Sequence, residues 1–113
     1  MQVKDQLMKV LESEVKSNMK LSDGVQAHKN IVQLHEIIDD QGFEDKLVLV
    51  MEYCPQGQLL NWDSDTKQFV PTMKFIDRNG FLPEQIIKQA IFDAATGLRF
   101  MHSNGVLHRD IKP

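Results

Sequence analysis

The chain opens with apolar residues spaced three and four apart and separated by Lys, Gln and Glu. Over residues 2–21 these positions are Val3, Leu7, Val10, Leu11, Val15 and Met19 or Leu21. Such spacing predicts an amphipathic helix, because it brings the apolar side chains to one face. We expect the helix to end near Ser22, since the Asp23-Gly24 pair favours a turn.

Two aliphatic stretches without helical spacing follow. Residues 31–38 are rich in Ile, Val and Leu, and they predict a strand that begins just after a turn at His28. Leu47 to Met51 is continuously aliphatic, which is typical of a strand buried on both faces. Because the short polar segment 41–45 joins the two, we expect an antiparallel pair.

The next segment is polar and contains helix-breaking residues. Residues 52–57 carry Pro and Gly and predict a connector between two regions. We expect a short helix from Gln58 to Trp62, then an exposed, poorly ordered insert from Asp63 to Gly80. Local packing is the expected role of its aromatic residues, which are Trp62, Phe69 and Phe75.

A long helix from Pro83 to Ser103 is the clearest prediction in the chain. Proline is favoured at the first helical position, and Asn104-Gly105 suits the left-handed cap at the other end. The apolar stripe of this helix consists of Ile87, Ala90, Ile91, Ala94, Leu98 and Met101.

Composition narrows the class of protein. The chain has 113 residues, 42% of them hydrophobic, which is ordinary for one soluble domain. A net charge of -3 argues against nucleic acid as a partner, and the apolar runs are too short to cross a membrane. The single cysteine, Cys54, forms no internal disulfide and suits a reducing, cytoplasmic compartment.

Candidate chemistry lies in the last six residues, H-R-D-I-K-P from His108 to Pro113. This stretch has the form of a protein-kinase catalytic loop. Phosphoryl transfer needs a group that orients the attacking hydroxyl and a fixed cation that meets the developing charge. Asp110 and Lys112 match these two requirements and are our candidate catalytic residues.

The order of elements resembles the middle of a eukaryotic protein-kinase catalytic domain across essentially the whole chain. The segment H-K-N-I-V from His28 is similar to the family's H-P-N-I-V, with Lys29 in place of Pro. Further resemblance lies in L-V-M-E-Y-C (49–54), G-Q-L (57–59) and G-L-R-F-M-H-S (97–103).

This resemblance implies an α+β fold in which residues 1–113 form a partial kinase domain. Residues 1–52 would be part of the N-lobe, with a piece of its antiparallel sheet and an αC-like helix. Residues 53–57 would be the hinge, and residues 58–113 the start of a helical C-lobe that ends in the catalytic loop. Lys112 indicates the Ser/Thr class.

Within that class, residues 36–40 and 57–63 most resemble the calcium/calmodulin-dependent protein kinase kinase group. The NAK-type kinases, which also use H-K-N-I-V, are the alternative. The resemblance further implies ATP and Mg²⁺ as cofactors, a protein substrate, and calcium/calmodulin as a partner through segments outside these residues.

Roles at the nucleotide site follow from the same resemblance. Met51 would be the gatekeeper, the Glu52 carbonyl and the Cys54 backbone would bind the adenine edge, and Gln58 would lie near the ribose. Glu14 would pair with the ATP-holding lysine. Glu12 is the alternative, because about five extra residues follow at 22–27 and an apolar spine residue is expected where Asn18 stands. Either the register shifts so that Met19 fills that place, or the spine is weakened.

Two catalytic-loop residues are given structural or regulatory roles by the resemblance. Arg109 would pair with a phosphorylated activation loop, and His108 would pack in the hydrophobic spine.

The 113 residues contain no Gly-rich phosphate loop, strand lysine, catalytic-loop Asn or D-F-G metal site, so they supply no metal ligands. We therefore expect part of a Ser/Thr kinase that transfers the ATP γ-phosphate to protein hydroxyls. This chain by itself is expected to be inactive and marginally stable. The alternative is a non-catalytic kinase-derived binding or regulatory module that acts through the exposed stripe of its long helix.

Overall fold

The structure, a computed structural model, describes residues 2–22, 27–40 and 46–113. Two helices and two small antiparallel sheets make up this part of the chain, which confirms the predicted α+β class. In chain order the elements are α1 (Gln2–Leu21), β1 (Leu34–Asp40), β2 (Lys46–Met51), β3 (Leu60–Asp63), β4 (Gln68–Pro71), a short 3-10 helix (Met73–Phe75) and α2 (Glu84–Ser103).

The first helix has the predicted length. It ends at Leu21, which is only 4% exposed. The Ser22 N–H donates to the carbonyls of Asn18 and Met19, at 3.0 and 3.2 Å, and so closes the last turn. Much of the predicted apolar face is nevertheless uncovered, since Val10 is 62% exposed. The turn predicted at Asp23-Gly24 lies outside the described residues.

Strands β1 and β2 pair antiparallel as predicted, with Ile37 opposite Leu49 and Ile38 opposite Val48. The first strand starts later than predicted because residues 28–31 form a turn, in which the Ile31 N–H donates to the His28 carbonyl at 2.9 Å. The prediction that β2 is buried on both faces is wrong. Val48 is 46% exposed, because this sheet has only two strands in the described part of the chain. The predicted connection 41–45 lies outside the described residues.

The segment after the connector differs most from the prediction. Strands β3 and β4 form a hairpin in which Trp62 stands opposite Phe69, so the expected helix at Gln58–Trp62 is wrong. The expected disorder of residues 63–80 is wrong as well. The two aromatic rings meet edge to face at 5.1 Å, which confirms the predicted local packing for this pair.

The hairpin turn explains why the segment is ordered. The Asp65 N–H donates to Asp63 Oδ1 at 3.0 Å, and the Thr66 hydroxyl donates to Asp63 Oδ2 at 2.7 Å. Lys67 then adopts a left-handed φ of 53° and returns the chain into β4. An Asp that binds its own turn in this way competes with helix formation.

The second helix begins at Glu84, one residue later than predicted, with Pro83 at the N-cap. It ends as predicted, because Gly105 has a φ of 71° and its N–H donates to the His102 carbonyl at 3.0 Å. Of the predicted apolar stripe only Met101 is buried, whereas Ile91 is 64% exposed.

The covered side of α2 packs on the turn at residues 28–31. The His28 and Phe100 rings stack at 4.9 Å. Gly97 is buried there, and a Cβ at that position would lie 2.9 Å from the Asn30 carbonyl oxygen. The absence of a side chain at Gly97 therefore permits the turn to approach the helix this closely.

Candidate functional site

The segment His108–Pro113 follows the cap of α2 and is fully on the surface. Lys112 Nζ lies 3.1 Å from Asp110 Oδ2, so the two candidate catalytic side chains form an ion pair. The Asp110 N–H donates to His108 Nδ1 at 3.2 Å, and this bond fixes the backbone between His108 and Asp110. The structure thus brings together the carboxylate and the ammonium group that the sequence singled out.

Arg109 has a left-handed φ of 64°, which is unusual for a residue with a side chain. Such conformations cost on the order of 1–3 kcal/mol and cluster at functional sites. His108, in contrast, is exposed. Its expected packing in a hydrophobic spine is therefore absent from the described residues, where no neighbouring element covers the loop.

The predicted hinge begins where β2 ends. Met51 stands opposite Leu34 in the sheet and is 39% exposed. The Glu52 N–H donates to the Gln33 carbonyl at 2.8 Å, and the Glu52 carboxylate accepts from the Gln33 N–H at 3.2 Å. These two bonds hold residue 52 against the chain segment that leads into β1.

A tight turn follows directly. The Gly57 N–H donates to the Cys54 carbonyl at 3.1 Å, and Gly57 has a φ of 68°. The turn changes the chain direction between the first sheet and the hairpin. Cys54 itself is an exposed free thiol.

Gln58 is held by Thr72, which directly follows the second strand of the hairpin and which the sequence did not single out. The Thr72 hydroxyl donates to the Gln58 carbonyl at 2.6 Å and accepts from Asn61 Nδ2 at 2.7 Å. The Thr72 N–H donates to the Leu59 carbonyl at 3.0 Å. Only the hairpin pairing reveals this contact, because fourteen residues separate Gln58 from Thr72.

Glu14 and Glu12, the two glutamates proposed for the αC-like role, are two positions apart and therefore lie on different faces of α1. Glu14 is exposed, and its carbonyl accepts from Asn18 Nδ2 at 3.0 Å. Glu12 lines a groove that α1 forms with Gly105 and Val106. Asn18 thus bonds to its own helix, and Met19 is 55% exposed, so neither takes the buried position of an apolar spine residue.

The described residues do not fit a magnesium site. Mg²⁺ requires near-octahedral oxygen ligands, usually with one or two carboxylates. Within residues 2–22, 27–40 and 46–113 no three His, Cys, Asp or Glu side chains lie close enough to hold a metal ion. Asp110, the carboxylate at the candidate site, is paired with Lys112.

No helix in the described part of the chain could cross a membrane. Neither α1 nor α2 combines the length and the hydropathy that crossing a bilayer requires.

Comparison with known proteins agrees with the order of elements and with the loop. The sequence model of the protein kinase domain family matches residues 2–113. The serine/threonine-protein kinase TOS3 of Saccharomyces cerevisiae is 35% identical over 86 residues, which is 76% of this chain and 14% of that protein. No solved structure matches.

Two plant relatives extend the comparison. The CBL-interacting serine/threonine-protein kinase 16 of Arabidopsis thaliana is 35% identical over 86 residues, or 76% of this chain and 15% of that protein. The serine/threonine-protein kinase ATG1c of the same plant is 30% identical over 109 residues, or 96% of this chain and 13% of that protein. The chain belongs to the protein kinase family, and it spans about a seventh of the length of these relatives.

Proposed function

We propose that this chain is part of a Ser/Thr protein kinase that transfers the γ-phosphate of ATP to Ser or Thr hydroxyls of a protein substrate. The observation that carries the proposal is the ion pair of Asp110 and Lys112, 3.1 Å apart, in an H-R-D-x-K loop. The serine/threonine class of all three relatives supports it.

In this mechanism Asp110 accepts a hydrogen bond from the substrate hydroxyl. That bond directs the hydroxyl oxygen of the substrate at the phosphorus atom of the γ-phosphate. Lys112 donates to the oxygens of the transferred phosphoryl group, where negative charge develops. Because both side chains are exposed and the described residues pair them with each other, Lys112 can leave the Asp110 carboxylate without breaking a packed contact. The ATP and Mg²⁺ that the family generally uses would supply the phosphoryl group and neutralise part of its charge.

The nucleotide site is proposed at the connector. Met51 would border the adenine, the backbone of Glu52 and Cys54 would bond its edge, and Gln58 would lie near the ribose, with Glu14 pairing with the ATP-holding lysine. Supporting this, Gln58 is fixed by Thr72 at 2.6 Å and the turn at Cys54–Gly57 exposes the connector. Residues 1–52, 53–57 and 58–113 would then be N-lobe, hinge and C-lobe parts.

We also propose membership of the calcium/calmodulin-dependent protein kinase kinase group, with calmodulin acting through other segments. This proposal rests on the resemblance of residues 36–40 and 57–63 to the corresponding segments of that group. One relative is named as CBL-interacting, which makes a regulatory protein partner a reasonable proposal here too. The exposed single thiol of Cys54 favours a reducing, cytoplasmic location.

The test of function uses a longer polypeptide that contains these residues together with a phosphate loop and metal ligands. Asp110→Asn is expected to lower phosphotransfer by about 10²- to 10⁴-fold, the usual range for a lost acid or base group. Asp77→Asn, which removes an exposed carboxylate from a turn elsewhere, is the matched control. Full activity of the Asp110→Asn protein would contradict the proposal.

The 113-residue chain alone is proposed to be inactive, because the residues that the structure describes include no group of side chains that fits the metal. A radiolabel transfer assay should give the same background for this chain and for its Asp110→Asn variant. Transfer above that control would show that the residues in hand suffice for catalysis.

A second candidate is a non-catalytic kinase-derived module that binds a partner through α2. The observation in its favour is the exposure of Ile91 and Phe92, at 64% and 65%. Two pairs of measurements distinguish the two candidate functions. Partner binding should be lost on Ile91→Ser with Phe92→Ser and retained on Asp110→Asn, whereas phosphotransfer should show the dependence on Asp110.

A further inference from the structure

A groove of about 410 Å³ lies between α1 and the turn that ends α2. Residues of α1 form one wall, and Gly105 and Val106 form the other. Neither Asp110 nor any residue of the connector lines it, whereas Glu12, the alternative to Glu14, belongs both to this groove and to the candidate kinase site. The wall on α1 consists of Lys9, Glu12, Ser13, Lys16, Ser17 and Lys20.

The three lysines of this wall are aligned. They follow one another at intervals of seven and four residues, which on a helix of 3.6 residues per turn places them within about 40° of arc. At 1.5 Å per residue the strip from Lys9 to Lys20 is about 16 Å long. Among the residues whose side chains the structure describes, Glu12 is the carboxylate that lines the groove, so three lysines face one carboxylate there on a chain whose net charge is -3.

The position of Lys20 is fixed from the opposite wall. Its ammonium group donates a hydrogen bond to the Asn104 carbonyl at the C-cap of α2. A carbonyl neutralises no charge and uses one of three hydrogens, so the group keeps two donors for a ligand. The bond also keeps α1 and the α2 turn together on either side of the groove.

Gly105 lies opposite that ammonium group, since a Cβ at this residue would be 3.9 Å from Lys20 Nζ, an ordinary van der Waals distance. The N–H groups of Gly105 and Val106 are already bonded to the carbonyls of His102 and Met101. Charged donors therefore come from the α1 wall, together with the hydroxyls of Ser13 and Ser17.

We propose that this groove binds an acidic peptide segment in an extended conformation. A strip of about 16 Å matches roughly five extended residues at 3.3 Å each. Lys16 and Lys20 are about 6 Å apart along the helix axis, close to the spacing of about 6.6 Å between alternate carboxylates, and Lys9 lies about 10.5 Å beyond Lys16, near the span of three residues. A single small anion would contact only part of the strip. Nucleic acid is disfavoured by the net charge of -3 and by the absence of aromatic residues from the groove lining.

The test is a fluorescence anisotropy titration of the 113-residue chain with a labelled octapeptide of alternating Glu and Ser. Lys9→Gln with Lys16→Gln is expected to weaken binding about tenfold, because each removes an exposed charge pair. Lys74→Gln with Lys88→Gln changes the net charge equally at exposed lysines outside the groove and should change binding less than about twofold. Far-UV circular dichroism checks that both variants keep their helices.

A further variant and two competing ligands show whether the lysine strip is responsible for the binding. Glu12→Gln should strengthen it, because it removes the carboxylate that competes for the lysines. The proposal is overturned by equal weakening in both lysine pairs, which would mean non-specific attraction, or by absence of saturable binding to the unaltered chain. Equal or tighter binding of an octanucleotide, or full displacement of the peptide by inorganic phosphate at equal charge, would overturn it in favour of a general anion site.

Discussion

At the scale of single residues, Gly97 determines how closely the turn at residues 28–31 approaches α2. Helix propensity alone predicts that Gly97→Ala stabilises the chain by about 1 kcal/mol. A Cβ there, however, would lie 2.9 Å from the Asn30 carbonyl oxygen, a backbone atom that moves only if the turn moves. Overpacking of this kind costs about 1–3 kcal/mol.

We therefore expect Gly97→Ala to lower the free energy of unfolding by roughly 1 kcal/mol, the difference between these two effects. Urea denaturation followed by circular dichroism measures this value. Thr96→Ala is the control, since it improves helix propensity at the adjacent position without the contact to Asn30. A Gly97→Ala chain more stable than the unaltered one would contradict the close packing.

A second residue-scale prediction concerns Asp63. Hydrogen bonds from the Thr66 hydroxyl, and then from the Asp65 N–H, hold the pKa of the Asp63 carboxyl below its ordinary value. Because the folded-state pKa is lowered, this group stabilises the hairpin above its unfolded pKa. That contribution is lost as the pH falls through the folded-state pKa, which lies below the ordinary pKa of an aspartate.

Trp62 is the chain's only tryptophan and precedes Asp63, so its fluorescence reports the acid transition of the hairpin. We expect the signal to change in the unaltered chain as the pH falls through the lowered pKa of the Asp63 carboxyl. Thr66→Ala should move the transition to higher pH, since it removes the first of the two bonds. Asp63→Asn should abolish it, and a transition that persists in that variant would assign the titration to another group.

At the scale of elements, the β3–β4 hairpin is joined to the connector through Thr72. Its hydroxyl is fully used, as donor to Gln58 and acceptor from Asn61, and each such bond contributes about 0.5–1.5 kcal/mol. Thr72→Val keeps the shape and removes both bonds. Amide hydrogen exchange in β3 and β4 should then accelerate about 5- to 30-fold, which corresponds to one or two kcal/mol.

Thr72→Ser is the matched variant for this experiment because it retains the hydroxyl. Exchange rates in the serine variant should stay close to those of the unaltered chain. If valine and serine give the same rates, the hairpin is held by its strand pairing alone and Thr72 does not position Gln58.

The elements also show what the sequence could predict. The three-and-four spacing in α1 and α2 located both helices to within one residue, because a long periodic signal averages over local detail. Periodicity does not predict the hairpin, because β3 and β4 have four residues each, too few for a period to emerge. The sequence signal for the hairpin is the turn chemistry of Asp63 and Thr66, which resembles ordinary loop composition.

At the candidate site, too, features that are local in sequence are predictable, whereas contacts between distant residues are not. Asp110 and Lys112 were predictable because their motif is local in sequence, and the structure brings them to 3.1 Å. The role of Thr72 was not predictable, since its contact with Gln58 depends on strand pairing between distant residues. The choice between Glu14 and Glu12 stays a prediction, because the lysine with which either would pair is not among these residues.

At the scale of the whole molecule, the fold leaves much of its surface open. The solvent-accessible area is 9664 Å², whereas a compact protein of 13.0 kDa exposes about 6,300 Å². The radius of gyration is 17.5 Å, against about 13 Å for a compact chain of this length. Among the hydrophobic residues that the structure describes, only Leu21 and Met101 are buried.

These values predict marginal stability for the 113-residue chain on its own. A two-residue buried core cannot offset the conformational entropy of so many ordered residues, and exposed apolar groups such as Phe81 and Phe92 favour association. We expect a broad thermal transition of low enthalpy in calorimetry, and concentration-dependent oligomers in light scattering. Replacing Ile91 and Phe92 by Ser should reduce the association without sharpening the transition, because it removes apolar surface but adds no core. A sharp, cooperative transition of a monomer would mean instead that the buried contacts around Gly97 and Met101 suffice to hold the fold.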